Sequence, residues 1–552
     1  MVDRLHDYDV IGINTTFFQN IPALALAKAV KERWPEKVIV IGGANCNGVL
    51  GTTLMQQFEF LDYAFLGEAD FTFPEFVERL SKGLDVSGVG GMARRENDAV
   101  VIHQREEPVT NLDGIPVPDF TDYVEQYRAS GLASHEQVLL PLESSRGCWW
   151  GAKHHCTFCG LNADNLTQRQ KSFERFRQEV EQVSAQTGVS YFFMTDNIFY
   201  WKYLQKFLEW KDETQNGLSF FYEVRPTASR KQVLELVRAG ITMVQPGIEH
   251  FSTKILALMK KHLVGIQNIA FLKYAREYGL SPAYNVLCLF PGEDEQEYHR
   301  LAANLPKVTH LSPPNGLSPI QYHRFSPYFY RPEEYGIQLQ PYRGYRYIYP
   351  FETEVLQNLA YIFDLVEPLK EPNGSEHLLG INQVINGWKN AFSEELCTLT
   401  WETDGDDILI EDRRRAFPKR SYRLTGGARK VFFAFDSPAT LQSAVIRLRG
   451  MDHPAPWARF AEEFEHSVPA RRGGDSMMAE FLFELEKNGA GGGDRDDVTI
   501  SFGEDEFVSD PDARIKPLLE FGLVYEEDGS YLSLPVYKRR AATDTTWRSF
   551  DV

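Results

Sequence analysis

Cysteine is scarce in this chain. There are six in 552 residues, too few and too scattered for a disulfide framework. Basic charge is also short: 58 Lys and Arg stand against 77 Asp and Glu, for a net charge of −19. That balance argues against binding nucleic acid by neutralising phosphates, and leaves a basic peptide as a suitable partner. No apolar run approaches the roughly 20 residues of a membrane-spanning helix. Residues 1–9 are charged and lead straight into a strand, so no signal peptide is expected. These features predict a cytoplasmic protein, away from membranes. Core-forming material is plentiful, with 43% hydrophobic and 13% aromatic residues. A chain of this length should hold about two to four domains.

Half of the cysteine is gathered in one place. Cys148, Cys156 and Cys159 fall within twelve residues, with seven between the first two and two between the last pair. Three thiolates can hold three irons of a 4Fe–4S cluster and leave the fourth iron open to a small ligand. A Cys-x-x-Cys pair alone also serves zinc ribbons and redox motifs. The reading therefore depends on what surrounds the loop.

Residues 1–85 alternate strand and helix. Apolar runs at 8–14, 38–41 and 62–66 are strand candidates, with helical patterns at 21–34 and 73–80. Near-continuous apolar strands between helices predict a parallel, doubly wound sheet. Its ligand should lie over the strand C-terminal ends, where Thr15, Thr16, Gly42, Gly43, Gly67 and Glu68 collect. Glycines there let the backbone approach a flat, bulky ligand, though each also fits plain turn punctuation. The chain starts as if an opening strand–helix unit were absent. A hairpin pattern at 88–103 follows, then Pro108, Pro116 and Pro118, then a short helix at 119–127.

From 137 to 325 the alternation resumes. Strand candidates are 138–142, 189–195, 218–224, 241–247, 283–290 and 319–324. Helices are expected near 172–187, 200–214, 229–239, 252–260, 265–278 and 295–306. Six strands with a helix in every gap predict an open, partial (β/α)6 barrel, whose chemistry sits on the loops after the strands. The cysteine loop follows the first strand and so belongs to that face. Other strand ends bring Thr195, Asp196, Asn197, Glu223, Arg225, Gln245, Gly247, Glu249, Gly292 and Glu293 to the same mouth. A shared ligand explains such convergence. Its carboxylate would pair with Arg225, and its hydroxyls with Glu223 or Glu249. Strand-end salt bridges account for Asp196, Glu223, Arg225 and Glu249 equally well.

Residues 322–363 are crowded with Tyr and Phe. That suits a lid over the barrel or an extension packed against it. Beyond 395 the character changes. Strands are expected at 407–412 and 421–424, a flexible loop at Gly491-Gly492-Gly493, and a helix at 512–522. A hairpin should follow at 523–534, on an Asp528-Gly529 turn. Helix followed by hairpin is compatible with a winged-helix-like module, used for peptide binding or for structural closure.

The cysteine loop, the six strand–helix units and the preceding Rossmann-like region together resemble the cobalamin-binding radical S-adenosylmethionine (SAM) enzymes. The chain is more closely similar to the RiPP maturation radical SAM C-methyltransferase family, which modifies ribosomal peptides. That resemblance is carried by Glu143-Ser144-Ser145-Arg146-Gly147-Cys148-Trp149-Trp150-Gly151 and Cys156-Thr157-Phe158-Cys159-Gly160-Leu161-Asn162. Further similar stretches are Gly42-Gly43-Ala44-Asn45-Cys46, Thr195-Asp196-Asn197-Ile198, Gln245-Pro246-Gly247-Ile248-Glu249, Phe290-Pro291-Gly292-Glu293 and Arg324-Phe325-Ser326-Pro327-Tyr328-Phe329. They span residues 8–330.

The resemblance implies an α/β chain of five parts. These are a Rossmann-like cobalamin-binding-type domain (1–105), a connector (106–136), a partial (β/α)6 radical SAM barrel (137–330), an aromatic-rich lid or helical extension (331–394), and an α+β C-terminal domain (395–552). It implies that Cys148, Cys156 and Cys159 ligate a 4Fe–4S cluster and that SAM chelates the open iron. Thr195, Asp196, Glu223, Arg225, Gly247, Glu249 and Gly292 would contact SAM. Cobalamin would lie over Thr15, Thr16, Gly42, Gly43, Ala44, Asn45, Gly67 and Glu68. No Asp-x-His-x-x-Gly motif is present, so no lower-ligand histidine is expected. The implied activity is C-methylation of an unactivated carbon in a ribosomally made precursor peptide, with the cofactors carrying the hard chemistry. The implied electron donor is a flavodoxin or ferredoxin. The alternatives are a cobalamin-independent radical peptide epimerase or cross-linking enzyme, and a zinc- or cobalamin-binding module that recruits a peptide without catalysis.

Other residues have plainer readings. His154 and His155 read as loop residues, since the cysteine trio suffices. Cys46 reads as a small buried thiol. Cys288 would donate hydrogen in an epimerase and is otherwise a core residue, and Cys397 is structural. Trp149 and Trp150 shield the cluster or pack the loop down.

Overall fold

The apolar runs near the N-terminus become strands because β-branched residues fit a buried, pleated surface. In this computed structural model β1 (Val10–Asn14), β2 (Val38–Gly42) and β3 (Tyr63–Phe65) pair parallel in that order. The hairpin of β4 (Met92–Glu96) and β5 (Ala99–His103) adds antiparallel beside β3. Helices α1 (Asn20–Arg33), α2 (Val49–Gln57) and α3 (Thr72–Ser81) fill the connections. Alternation along β2 sorts its side chains. Ile39 and Ile41 share a core with Ala27 and Val30 of α1 and Leu54 of α2, while Val40 shares another with Phe76 of α3. The doubly wound expectation is corrected. The strand order runs in one direction with β1 at the edge, so this sheet has no topological switch point of its own.

The structure describes residues 2–96, 99–103, 107–131, 138–163, 165–214, 216–367, 376–393, 397–418, 420–449 and 497–537. The expected glycine loop at 491–493 and the tip of the 88–103 hairpin lie outside the described residues, as do connector residues 106 and 132–136. Among the described residues no helix is long and apolar enough to cross a membrane.

The chain divides into two compact units. One comprises residues 1–123, 144–187 and 321–369, and the other 124–143, 188–320 and 370–552. This cuts across the expected boundaries, because the cysteine segment and residues 321–369 belong with the N-terminal sheet. Within the first unit, β7 (Ser145–Arg146) and β8 (Arg169–Gln170) form an antiparallel neck for the cysteine loop, followed by α6 (Phe173–Thr187). The aromatic stretch is also corrected. Tyr349, Leu356 and Leu359 are buried in the core that holds Ile39 and Ile41, with Tyr345 and Phe351 packed against it. Phe351 meets Phe58 with ring centroids 5.7 Å apart. These side chains pack on the N-terminal sheet and extend that core.

In the second unit β6 (Leu140–Leu142), β9 (Tyr191–Met194), β10 (Ser219–Val224), β11 (Ile241–Pro246) and β12 (Ser281–Pro282) are parallel neighbours in that order. β13 (Val286–Cys288) pairs parallel with β14 (Leu317–Pro319). Helix α4 (Thr121–Ala129) precedes the series in sequence, and α7 (Leu204–Thr214), α8 (Arg230–Arg238), α9 (Thr253–Leu258), α10 (Gly265–Tyr278) and α11 (Glu295–Asn304) separate its later strands. The strand expected at 283–290 is split. Pro282 has no N–H for the ladder; Ala283 makes one last bond to the Val244 carbonyl at 2.9 Å, and the chain re-enters as β13 beside β14. The sixth strand is 317–319 rather than 319–324. Tyr322–His323 instead joins Leu339–Pro341 and Ile362–Leu365 in a three-stranded antiparallel sheet.

Among the described residues the C-terminal region holds two sheets. Leu399–Asp404, Asp407–Asp412 and Arg420–Gly426 run antiparallel, extended by Asp497–Phe502 and Val536–Tyr537. The helix Pro511–Glu520 leads into the hairpin of Val524–Glu527 and Ser530–Ser533, with Ala439–Thr440 as third strand. Its turn holds Asp528 and Gly529 at φ +48° and +74°, as a type I′ turn requires.

Candidate functional site

The cysteine loop is shaped by backbone contacts that only small residues allow. Gly147 has φ +82°, and a Cβ there would lie 2.2 Å from the Thr167 carbonyl oxygen. That turn delivers Cys148 to the N-cap of α5 (Trp149–Lys153), where its Sγ accepts the Gly151 N–H at 3.3 Å. Cys156 and Cys159 are linked by a tight turn, Cys159 N–H to Cys156 carbonyl at 3.1 Å. His155 hydrogen-bonds the Cys159 carbonyl through Nε2 at 2.9 Å, and His154 lies against Trp150 with ring centroids 4.1 Å apart. Tyr328 N–H donates to the Thr157 carbonyl at 3.1 Å, and a Cβ at Gly160 would lie 2.2 Å from the Arg324 carbonyl. The three thiols are half-buried, and a backbone N–H on sulfur is the kind of donor that tunes an iron–sulfur site. Among the described residues no three His, Cys, Asp or Glu groups converge as on a single metal ion. A 4Fe–4S cluster does not ask for that, since each thiolate takes a different iron.

The neck of this loop is held by carboxylates from the loop after β3. Arg146 and Arg169 face each other across β7 and β8, a like-charge pair that is unfavourable alone. Asp70 accepts from Arg146 Nη1 at 2.7 Å and Nη2 at 2.9 Å. Glu68 accepts from Arg169 at 2.7 and 2.9 Å and from Val109 N–H at 2.8 Å. Burial works to raise the Glu68 carboxyl, but these bonds hold it below its ordinary value.

Two of the expected corrinoid positions carry other contacts. The Glu68 carboxylate is committed to the neck. Thr15 is fully buried, its hydroxyl shared with Asn20 at 2.8 Å and Asn45 at 3.0 Å. Both shape loops. The remaining positions stay at the strand ends. Gly43 has φ +96°, and a Cβ there would meet Asn14 Oδ1 at 2.2 Å and the Thr15 carbonyl at 2.5 Å. Gly67 faces open space, and Thr16 N–H is capped by Gln19. Phe17 and Phe18 after β1, Val49 at the start of α2 and Phe71 after β3 are exposed, Phe18 at 92%. Open backbone with an apolar rim fits a bulky, partly apolar ligand.

In the second unit Glu223, Arg225, Gly247 and Glu249 gather around one lysine, Lys261. Thr195 N–H caps the Leu142 carbonyl at 2.8 Å, and Asp196 beside it is fully buried. Glu249 holds φ +56° and meets Lys261 Nζ at 3.0 Å. Arg225, also buried, donates to the Lys261 carbonyl at 2.9 Å. Gly247 N–H bonds the Val224 carbonyl at 2.9 Å, and a Cβ on it would lie 2.7 Å from Lys261 Nζ. Burial first, then Glu249, push the Glu223 carboxyl up to about 7 against the pull of Lys261, and Asp196 adds to the rise. Gly292 turns at φ +85° after β13. Leu289, at φ +66°, donates its N–H to Glu293 at 3.0 Å. Non-glycine residues at positive φ mark functional loops more often than plain ones. Lys261 is absent from the sequence reading. Its only signal was a basic Lys260-Lys261-His262 run between two helices, which reads as ordinary surface.

The remaining cysteines are structural. Burial pushes the Cys46 thiol up to about 12, and burial with Glu293 does the same for Cys288. Cys397 is buried against Thr309, Sγ to Oγ1 3.2 Å.

Comparison with known proteins finds a family match over the segment that holds the cysteine loop. Residues 142–305 match the family model of the radical SAM superfamily. An uncharacterized methyltransferase of Pyrococcus horikoshii is 27% identical over 300 residues, covering 53% of this chain and 62% of that protein. The cobalamin-dependent radical SAM methyltransferase TokK of Streptomyces tokunonensis is 25% identical over 183 residues, 33% of this chain and 26% of its own. The chain thus spans less than two thirds of the curated relatives it matches. Two solved structures share the fold at 14% identity. TsrM of Kitasatospora setae, a radical SAM methyltransferase with cobalamin and a 4Fe–4S cluster bound, has a TM-score of 0.51 and covers 70% of this chain and 80% of its own. The cobalamin-dependent radical enzyme OxsB has a TM-score of 0.51 and covers 96% and 75%. The chain therefore carries a radical SAM domain at residues 142–305, with a cobalamin-dependent radical SAM methyltransferase among its relatives.

Proposed function

We propose that the protein is a cobalamin-dependent radical SAM C-methyltransferase that modifies a ribosomally synthesised peptide. The observation that carries this reading is the loop of Cys148, Cys156 and Cys159, with its backbone donor on sulfur, inside the radical SAM match. The three thiolates would hold a 4Fe–4S cluster. Thr195, Asp196, Glu223, Arg225, Gly247, Glu249 and Gly292, joined by Lys261, would bind SAM. Lys261 and Arg225 suit its carboxylate, and Glu223 and Glu249 suit its hydroxyls or ammonium. Thr16, Gly42, Gly43, Ala44, Asn45 and Gly67 would line the corrinoid, with Thr15 and Glu68 supporting their loops. When bound, these cofactors supply the radical and the methyl group for an unactivated carbon. The chain's own groups bind, orient and exclude water.

The peptide substrate rests on the resemblance of residues 143–151 and 156–162 to the RiPP maturation family, and the net charge of −19 suits a basic leader segment. A flavodoxin or ferredoxin would deliver the electron, in a reducing cytoplasm that suits six thiols. Cys288 is 1% exposed, out of reach of a peptide, which disfavours the epimerase alternative.

Anaerobic reconstitution tests the proposal. Wild-type protein should turn brown and cleave SAM, and Cys156→Ala should lose both. His154→Ala should keep its iron, because its ring packs on Trp150. Hydroxocobalamin should give corrinoid absorbance at stoichiometric loading, and its absence would remove the cobalamin half of the reading.

A further inference from the structure

One carboxylate of the C-terminal hairpin reaches the helices that carry Lys261. Glu527 accepts from the Thr253 N–H and hydroxyl through Oε1, each at 3.0 Å, and from Ile266 N–H through Oε2 at 2.5 Å. Thr253 opens α9 and Ile266 lies in the first turn of α10. First-turn N–H groups have no partner within their own helix, and the positive end of each helix favours a carboxylate. The Thr253 hydroxyl also accepts from Gly265 N–H at 3.0 Å. A Cβ on Gly265 would lie 1.9 Å from the Phe251 carbonyl oxygen and 2.5 Å from Glu527 Oε1, so glycine is required where the two segments meet.

Helix α9 is six residues long and its far end runs directly into Lys260-Lys261-His262. Lys260 and His262 hold φ of +54° and +49°, angles that non-glycine residues keep only when their surroundings enforce them. Between them Lys261 is fixed at three points. Its N–H donates to the Leu256 carbonyl at 3.2 Å, its carbonyl accepts from Arg225 at 2.9 Å, and its Nζ meets Glu249 at 3.0 Å. A shift at the start of α9 would therefore be felt at Lys261.

We infer that Glu527 is a positioning residue for the strand-end site, setting Lys261 against Glu249 and Arg225 by fixing the starts of α9 and α10. The C-terminal hairpin is then part of the architecture of the ligand site rather than a detached module. This rests on the reading of that site as the SAM site.

The test is the SAM affinity of the full chain, reconstituted anaerobically and measured by equilibrium dialysis. Wild type is compared with Glu527→Gln, Lys261→Met and the double variant. Glutamine turns one acceptor oxygen into a donor that opposes an N–H. The single Glu527→Gln change should weaken binding about tenfold, and the double variant should bind no worse than Lys261→Met, because residues acting in series are not additive. Unchanged affinity beside a lowered melting temperature would overturn the inference and leave Glu527 a structural cap. Effects that multiply in the double variant would overturn it too. If Glu527→Gln does not fold, Thr253→Ala, which removes the hydroxyl between Glu527 and Gly265, should show the same weakening on a smaller scale, and unchanged affinity there counts against the inference. Wild-type protein with an intact cluster that binds no SAM would overturn the site assignment itself.

Discussion

Arg169 and Glu68 form a two-pronged pair, Nη2 to Oε1 at 2.7 Å and Nη1 to Oε2 at 2.9 Å. With Asp70 on Arg146, it fastens both ends of the cysteine loop's neck to the loop after β3. Glu68→Gln keeps the shape and removes the charge, leaving Arg169 buried without its counter-ion. The expected loss is about 1–3 kcal/mol. It should appear as a lower melting temperature and as less iron retained after reconstitution. Iron content at wild-type level would show that the pair does not hold the loop.

The same pair has a defined pH dependence. The Glu68 carboxyl sits below its ordinary value of 4.5 in the folded chain. Its contribution is thus complete above 4.5 and is lost as pH falls through the lower folded value. Melting temperatures from pH 7 down to 3 should fall more steeply for wild type than for Glu68→Gln.

Glu223 should behave in the opposite sense. Burial and the neighbouring carboxylates raise it from 4.5 to about 7. The folded state then holds a proton that the unfolded chain releases near 4.5, so stability falls as pH rises between these values and levels off above 7. Glu223→Gln has no such proton. In the absence of SAM it should melt at a higher temperature than wild type at pH 8, with the gap closing toward pH 5. A gap that does not change with pH would rule out Glu223 as the titrating group.

These two carboxylates show what was legible in the sequence and what was not. Local spacing carries local chemistry. Three cysteines on one loop, polar groups at the strand ends and the Asp528-Gly529 turn can all be read from short windows, because the residues that act together are close in the chain. Glu68 was read as a ligand contact because its partner Arg169 lies 101 residues away, and no periodicity reports such a pairing. Glu527 is hidden for the same reason, 274 residues from Thr253, whereas Lys261 lies only 12 residues from Glu249 and sits in a basic run that reads as ordinary surface. The break between β12 and β13 was open to reading, since Pro282 cannot donate to a ladder. The single-direction strand order and the packing of Tyr349 on the N-terminal sheet depend on tertiary contacts that an apolar pattern does not specify.

Gly43 separates backbone geometry from ligand contact. Its φ of +96° and the 2.2 Å approach to Asn14 leave no space for a methyl group. Gly43→Ala should cost about 1–3 kcal/mol or more and lower corrinoid uptake from hydroxocobalamin. The cluster, on another segment, should keep its SAM-cleavage chemistry. Corrinoid loading equal to wild type would place the ligand elsewhere.

A buried charge cluster ties the C-terminal region to helices α8 and α10, and a double-mutant cycle can show how. Asp436 meets Lys273 Nζ at 2.9 Å and Arg230 Nη2 at 2.5 Å, while Arg230 Nη1 meets Glu277 at 2.6 Å. Lys273 is fully buried and reaches Ser533 of the hairpin at 3.2 Å. Asp436→Asn leaves that ammonium without its carboxylate, a change expected to cost about 3–5 kcal/mol. Lys273→Met keeps the length and drops the charge, and Arg230 remains to satisfy Asp436. The double variant should therefore be more stable than Asp436→Asn alone, since the stranded charge is gone. Denaturant midpoints of the four proteins supply the cycle. If the double variant is the least stable of the four, hydrogen bonding to Asp436 outweighs the cost of an unpaired Lys273, and the charge-pair account fails.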